Sequence, residues 1–231
     1  MRLQFNPLAV LAFFILVLLL HEAHESAHYF TAWLLCGCPG DRDFLVWKMC
    51  GSCTDQHLFL LASFAGPLIT YAFMWIGFFL LRKTSTARQK TIGFALVLGA
   101  LPLPRWLAGI DKGGDEISTL RHVFTGAQTY QAVLIGGAIV LLFTLPPVWR
   151  AFKSIQNKQR ILLLMAFLAL PWLLDRLAVE KLLNGQLAAS GVLMSPVYAG
   201  IPLLVILWQV LLLIAFAATA GKLKYLAKGT A

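Results

Sequence analysis

LAVLAFFILVLLLHEAHESAHYFTAWLL, residues 8–35, is the stretch that decides the fold. Its uninterrupted apolar run, Leu8 to Leu20, has 13 residues, whereas a helix that crosses a bilayer needs roughly 20. A spanning helix must therefore absorb the polar part that follows. Carried through to Leu35 it extends about 42 Å at 1.5 Å per residue. His24 and His28 then fall in its second half, below the membrane surface but nearer the end that leads to Cys36. A cleaved signal sequence shares Arg2 and a short apolar core with this segment. No small-x-small cleavage site follows, so that reading is rejected.

Working outward, the composition agrees with a membrane protein. Hydrophobic residues make up 59% of the chain, charged ones 13%, and the mean hydropathy is +0.78, more than the surface of a soluble domain of this length accommodates. Further apolar blocks run over 58–81, 91–107, 128–149, 161–178 and 200–220, which with the first helix makes six spans. The third and fifth are short and interrupted by Pro102, Pro104 and Pro171. The expected fold is an all-α integral membrane protein of about six transmembrane helices, with a short cysteine-bearing β-like hairpin or loop after the first. No repeat, low-complexity segment or linker divides it. Residues 1–231 read as a single polytopic domain, with a core over about 8–127 and additional helices over about 128–220.

The formal net charge of +9 invites a nucleic-acid reading, but its distribution supplies a simpler one. Arg2, Arg82, Lys83, Arg88, Lys90, Arg150, Lys153, Lys158, Arg160, Lys222, Lys224 and Lys228 all fall on one side of a six-span arrangement. These are 12 of the 19 cations, and none of the ten acids lies among them. By the positive-inside tendency, both termini and the two basic loops are cytoplasmic. The expected location is the plasma membrane of a bacterium, and the expected partners are the lipid bilayer and a membrane protein substrate, with no nucleic acid.

His24, Glu25 and His28 spell HExxH. Residues four apart on a helix project from nearly one face, so two imidazoles can reach one metal. Zinc accepts neutral imidazole and carboxylate in tetrahedral sites, and a catalytic site keeps one position open for water. Glu25 then serves as general base for that water. The competing structural reading is a satisfied polar cluster between packed helices, set against the cost of ionisable groups within a membrane helix, which are usually functional. Such a centre needs a third ligand, and the glycine-bearing stretch Arg105 to His122 offers Asp111, Asp115 and Glu116. Asp175, in the fifth span, ranks below them because adjacent Arg176 and nearby Glu180 read as a helix-end charge cluster.

The run His24-Glu25-Ser26-Ala27-His28-Tyr29-Phe30-Thr31-Ala32, followed by Gly37, resembles the HExxHxxxA segment of the site-2 protease family of intramembrane zinc metalloproteases. Ala65-Gly66-Pro67-Leu68 resembles that family's AGPL-type helix. Pro102-Leu103-Pro104, followed by aspartate and glycines, is similar to its NxxPxPxLDG ligand motif. The resemblance covers roughly residues 8–120 and implies a divergent, bacterial-type member. It implies zinc ligation by His24, His28 and an aspartate, with Glu25 activating the water that attacks a peptide bond in or near the membrane. Asp115 is preferred, since Gly113-Gly114-Asp115 leads directly into the helix-like Ile117 to Phe124, and Asp111 is the reserve. Three departures stand out: Gly99 and Thr70 replace asparagines, and about ten residues separate the prolines from the Gly-Gly-Asp. Family members also place the metal toward the cytosolic face, whereas the charge count here places the motif toward the opposite one.

His21 shares the face of His24 and His28, as a lining or packing residue. The spacing HxxHxxxH is similar to the histidine boxes of membrane di-iron hydroxylases, but those need roughly eight histidines and this chain has five. The sequence is also compatible with a divalent-cation transporter and with a metal-binding homologue that has no activity. Cys36, Cys38, Cys50 and Cys53 flank a strand-like segment, Asp43 to Met49, whose edge could pair with an extended substrate. In an oxidising compartment they make two disulfides in one of three pairings, and a four-cysteine zinc site is the competing arrangement.

Overall fold

The computed structural model describes residues 1–228. It contains six helical stretches long and apolar enough to cross a membrane: Pro7–Cys36, Gln56–Leu80, Ala87–Ile110, Gly126–Ser154, Arg160–Ala188 and Leu203–Leu226. The chain is a multi-pass, all-α membrane protein. A short strand β1 (Arg2–Leu3) pairs antiparallel with β4 (Ala227–Lys228). Residues 2–3 and 227–228 therefore lie side by side, on one side of the bundle as an even number of spans requires.

Helix α1 (Pro7–Cys36) is the central element, packed against the second, third, fifth and sixth spans. Its start is fixed by Asn6, whose side-chain oxygen accepts from the Leu8 and Ala9 amides, with Pro7 in the first turn, where its missing N–H costs nothing. It stops at Gly37, which takes the left-handed conformation (φ 71°) and donates its N–H to the Trp33 carbonyl, a conformation that glycine adopts without strain. Helix α2 (Gln56–Leu80) follows, capped by the Asp55 carboxylate.

The third span is broken, as its prolines predict. Helix α3 (Ala87–Gly99) and helix α4 (Pro102–Ile110) meet at Leu101, a non-glycine residue at φ 55°. Pro102 cannot continue an α3 hydrogen-bond ladder and starts α4 instead. Helix α5 (Asp115–Val123) begins just beyond Gly114, where a helix was expected from Ile117. Helix α6 (Thr129–Ser154) is the fourth span, and α7 (Arg160–Asp175) opens the fifth. Pro171 does not end α7. The helix instead widens into a π-helix over Arg176–Ala188, a form that often marks functional segments. Strands β2 (Pro196–Tyr198) and β3 (Ile201–Pro202) precede α8 (Leu203–Thr219).

The cysteine segment forms two disulfides, Cys36–Cys53 and Cys38–Cys50. The strand expected over Asp43 to Met49 is absent, and the segment retains one isolated bridge, Arg42 to Trp47. The Asp43 carboxylate accepts from the Leu45 and Val46 amides at 2.7 Å each. That side-chain capture bends the backbone into a tight turn and removes donors that a strand edge would offer. The segment is a stapled loop, and it lies over the polar half of α1.

Candidate metal centre

Two apolar clusters grip α1, one around Phe13, Val17, Phe94 and Phe167, the other around Tyr29, Phe44, Val179 and Val205. The polar residues 21–28 lie along α1 between them. His24, His28 and Asp115 converge there, and their donor atoms lie within 4.8 Å of one another. The two Nε2 atoms are 3.1 Å apart. Asp115 Oδ2 is 3.1 Å from His24 Nε2 and 3.9 Å from His28 Nε2. Three donors of a tetrahedral centre with bonds of about 2.0–2.1 Å stand roughly 3.3 Å apart. The observed triangle brackets that spacing, so the three residues fit a small metal ion. Asp111, the reserve candidate, is an exposed residue at the end of α4.

The imidazoles are oriented from α2. His28 Nδ1 lies 2.9 Å from the Ala62 carbonyl oxygen, which can only accept, so Nδ1 carries the proton and Nε2 presents a lone pair to the centre. His24 Nδ1 has a partner for each tautomer: it donates to Thr70 Oγ1 at 3.0 Å, or accepts from Arg105 Nη2 at 2.9 Å. The first tautomer frees Nε2 for a cation. Trp47, from the stapled loop, stacks on the His28 ring at 5.3 Å with its plane tilted only 10°.

Close approach of α2 depends on Gly66, in the Ala65-Gly66-Pro67-Leu68 stretch. A Cβ there would collide with His28 Nε2 and come within 2.6 Å of His24 Cε1. We expect Gly66→Val to lower bound metal at least tenfold, because the rings must swing away from the shared point. Gly137→Ala on α6, where an added Cβ meets nothing, is the control that keeps full metal content by elemental analysis.

Glu25 lies beside the His24-His28-Asp115 donor group and is not one of its three members. Its Oε1 lies 3.9 Å from His24 Nε2, and it lines a cavity of about 210 Å³ together with His21, His24, Arg105, Asp115 and Asp175. Leu20 and Phe73 form a wall shared with a second, largely apolar cavity of about 500 Å³ against α8.

Oppositely charged side chains meet in this cavity. Arg105 Nη1 pairs with Glu116 Oε1 at 2.9 Å and lies 3.8 Å from Asp115 Oδ2. The Tyr71 hydroxyl also donates to Glu116. Burial by itself would raise the Asp115 carboxyl, but with the His24 proton on Nε2, the tautomer without a metal, the hydrogen bond from His24 and the charge of Arg105 outweigh it and hold it well below the usual carboxylate range. Four carboxylates, Glu25, Asp115, Glu116 and Asp175, and the Arg105 guanidinium line the same cavity. A cation held by His24, His28 and Asp115 would offset part of that negative charge.

Several participants are not apparent from the sequence motif. His21 Nδ1 pairs with Asp175 Oδ1 at 3.0 Å. Asp175 is therefore a partner of His21 and not one of the grouped ligands. Arg42 and Glu22, both almost fully buried, pair at 2.7 Å on another face of α1. The available signal was positional: Glu22 and His21 interrupt an apolar helix, and Arg42 and Arg105 are cations outside the basic loops. No protein-family model matches the chain, and no curated protein or solved structure matches it.

Proposed function

We propose that this protein is an intramembrane zinc metalloprotease, similar to the site-2 protease family, that hydrolyses peptide bonds of membrane-spanning or membrane-proximal segments. The observation that carries the reading is one cavity holding a His24-His28-Asp115 donor group with the Glu25 carboxylate beside it. Two imidazoles and one carboxylate favour zinc over harder cations, which prefer all-oxygen sites. Zinc held there supplies Lewis acidity toward a peptide carbonyl and toward water.

The chain's own residues do the rest. Glu25 Oε1 takes a proton from the attacking water and delivers it to the leaving amine. Ala62 and Thr70 keep the two imidazoles turned toward the centre. Leu20 and Phe73 stand between the small cavity and the apolar cavity against α8, and an extended substrate segment enters past them. Both termini are cytoplasmic on this reading, with the stapled loop on the oxidising side of a bacterial plasma membrane, and the basic loops support that orientation.

Metal analysis of purified protein tests the reading. We expect about one zinc per chain in the wild type and in Asp111→Ala, and at least a hundredfold weaker zinc binding in Asp115→Ala. Wild-type protein without stoichiometric zinc defeats the proposal, as does full zinc retention in Asp115→Ala. Zinc-dependent flux in liposomes without hydrolysis identifies a transporter instead.

A further inference from the structure

A second site lies on the opposite, basic end of the bundle and does not depend on the metal reading. Between the end of α6 and the start of α7 runs a groove of about 630 Å³ whose walls include Leu145, Trp149, Phe152, Ile161 and Leu164. None of its lining side chains is charged, and Leu145, Trp149 and Ile161 are exposed on the outer face of the bundle.

Two cations stand at its mouth, each resting on an aromatic ring that forms the wall. Lys153 Nζ lies 4.9 Å from the Trp149 ring centre, and the Arg160 guanidinium lies 5.0 Å from that of Phe152. Neither cation is ion-paired among the described residues, and the sequence holds no acid between Glu116 and Asp175. Arg150, by contrast, is committed elsewhere: it lies 3.6 Å over Phe78 and donates to that residue's carbonyl.

We propose that this groove binds an anionic phospholipid, with an acyl chain along the aromatic and aliphatic wall and the phosphate between Lys153 and Arg160. The chemistry selects that occupant. An acyl chain gains little by leaving the bilayer for an equally apolar wall, so preference must come from the headgroup. Each basic side chain near a membrane surface favours an anionic lipid several-fold, and a guanidinium holds phosphate oxygens in pairs. A peptide segment fits less well, because the groove offers no carboxylate or amide side chain to its backbone.

The test uses the full-length protein in detergent, titrated with phosphatidylglycerol or phosphatidylcholine and read by native mass spectrometry. The wild type is expected to retain one phosphatidylglycerol with a preference over phosphatidylcholine on the order of tenfold to a hundredfold. Lys153→Gln/Arg160→Gln should cut that preference to within about threefold, and Ile161→Trp, which fills the groove, should remove retention of the lipid. Lys83→Gln/Arg88→Gln, on another basic loop, should change neither. A preference that survives the Lys153/Arg160 pair overturns the proposal. So does an equal loss in the Lys83/Arg88 pair, which would show diffuse surface attraction only.

Discussion

Glu25→Gln is expected to abolish peptide hydrolysis while leaving metal content unchanged. The replacement keeps the shape of the side chain, and Glu25 lies outside the His24-His28-Asp115 donor group, with its nearest oxygen 3.9 Å from His24 Nε2. What the amide loses is the ability to accept a proton, and general-base catalysis contributes typically 10²- to 10⁴-fold. Turnover of a single-span peptide, reconstituted with the protein and followed by mass spectrometry, should fall by at least a hundredfold. Zinc stoichiometry should stay at the wild-type value. A coincident loss of zinc would make Glu25 a ligand, and unchanged turnover would remove it from the chemistry. Wild-type protein that binds zinc but cuts no membrane-spanning peptide would place the chain among metal-binding proteins without protease activity.

The parts of this molecule that could be read from the sequence are those written in local periodicity. Residues 8–35 form a single helix because apolar content, the Asn6-Pro7 start and Gly37 stop all agree. The motif residues fall on one face by helical geometry alone, and the stretch Arg105 to His122, from which Asp115 is preferred over Asp111, holds the carboxylate that lies beside them. The break of the third span at Leu101 followed from Pro102. What stayed hidden depends on tertiary contact. Arg105 is 81 residues from His24 in sequence yet touches its ring. Asp175 pairs with His21 only because the fifth span packs against α1. Asp43 defeated the strand expectation through a two-residue side-chain hydrogen bond that apolar patterning does not register.

Removing Arg42 is expected to cost as much stability as the most damaging single apolar truncations in the bundle. Arg42 reaches from the stapled loop into α1, donating to Glu22 Oε2 at 2.7 Å through Nη2 and to Ser26 Oγ at 2.7 Å through Nη1. Gln209 on α8 donates to the same Glu22 oxygen at 3.0 Å. Three elements thus meet on one ion pair, with Arg42 2% and Glu22 3% exposed. The other Glu22 oxygen has no hydrogen-bond partner among the described residues, so the charge of this carboxylate is compensated through Arg42. Arg42→Ala leaves a buried anion, for which the expected loss is about 3–5 kcal/mol in reversible unfolding from bicelles. The double replacement Glu22→Leu/Arg42→Met removes both charges and should lie within about 1 kcal/mol of the wild type or exceed it, because a buried pair repays its desolvation incompletely. A single variant that unfolds like the wild type would mean that water reaches Glu22. The same pair of variants separates stability from positioning. If Arg42 also holds the loop so that Trp47 stays on His28, the double variant recovers stability but still binds zinc more weakly than the wild type. Equal recovery of both would confine Arg42 to neutralising Glu22.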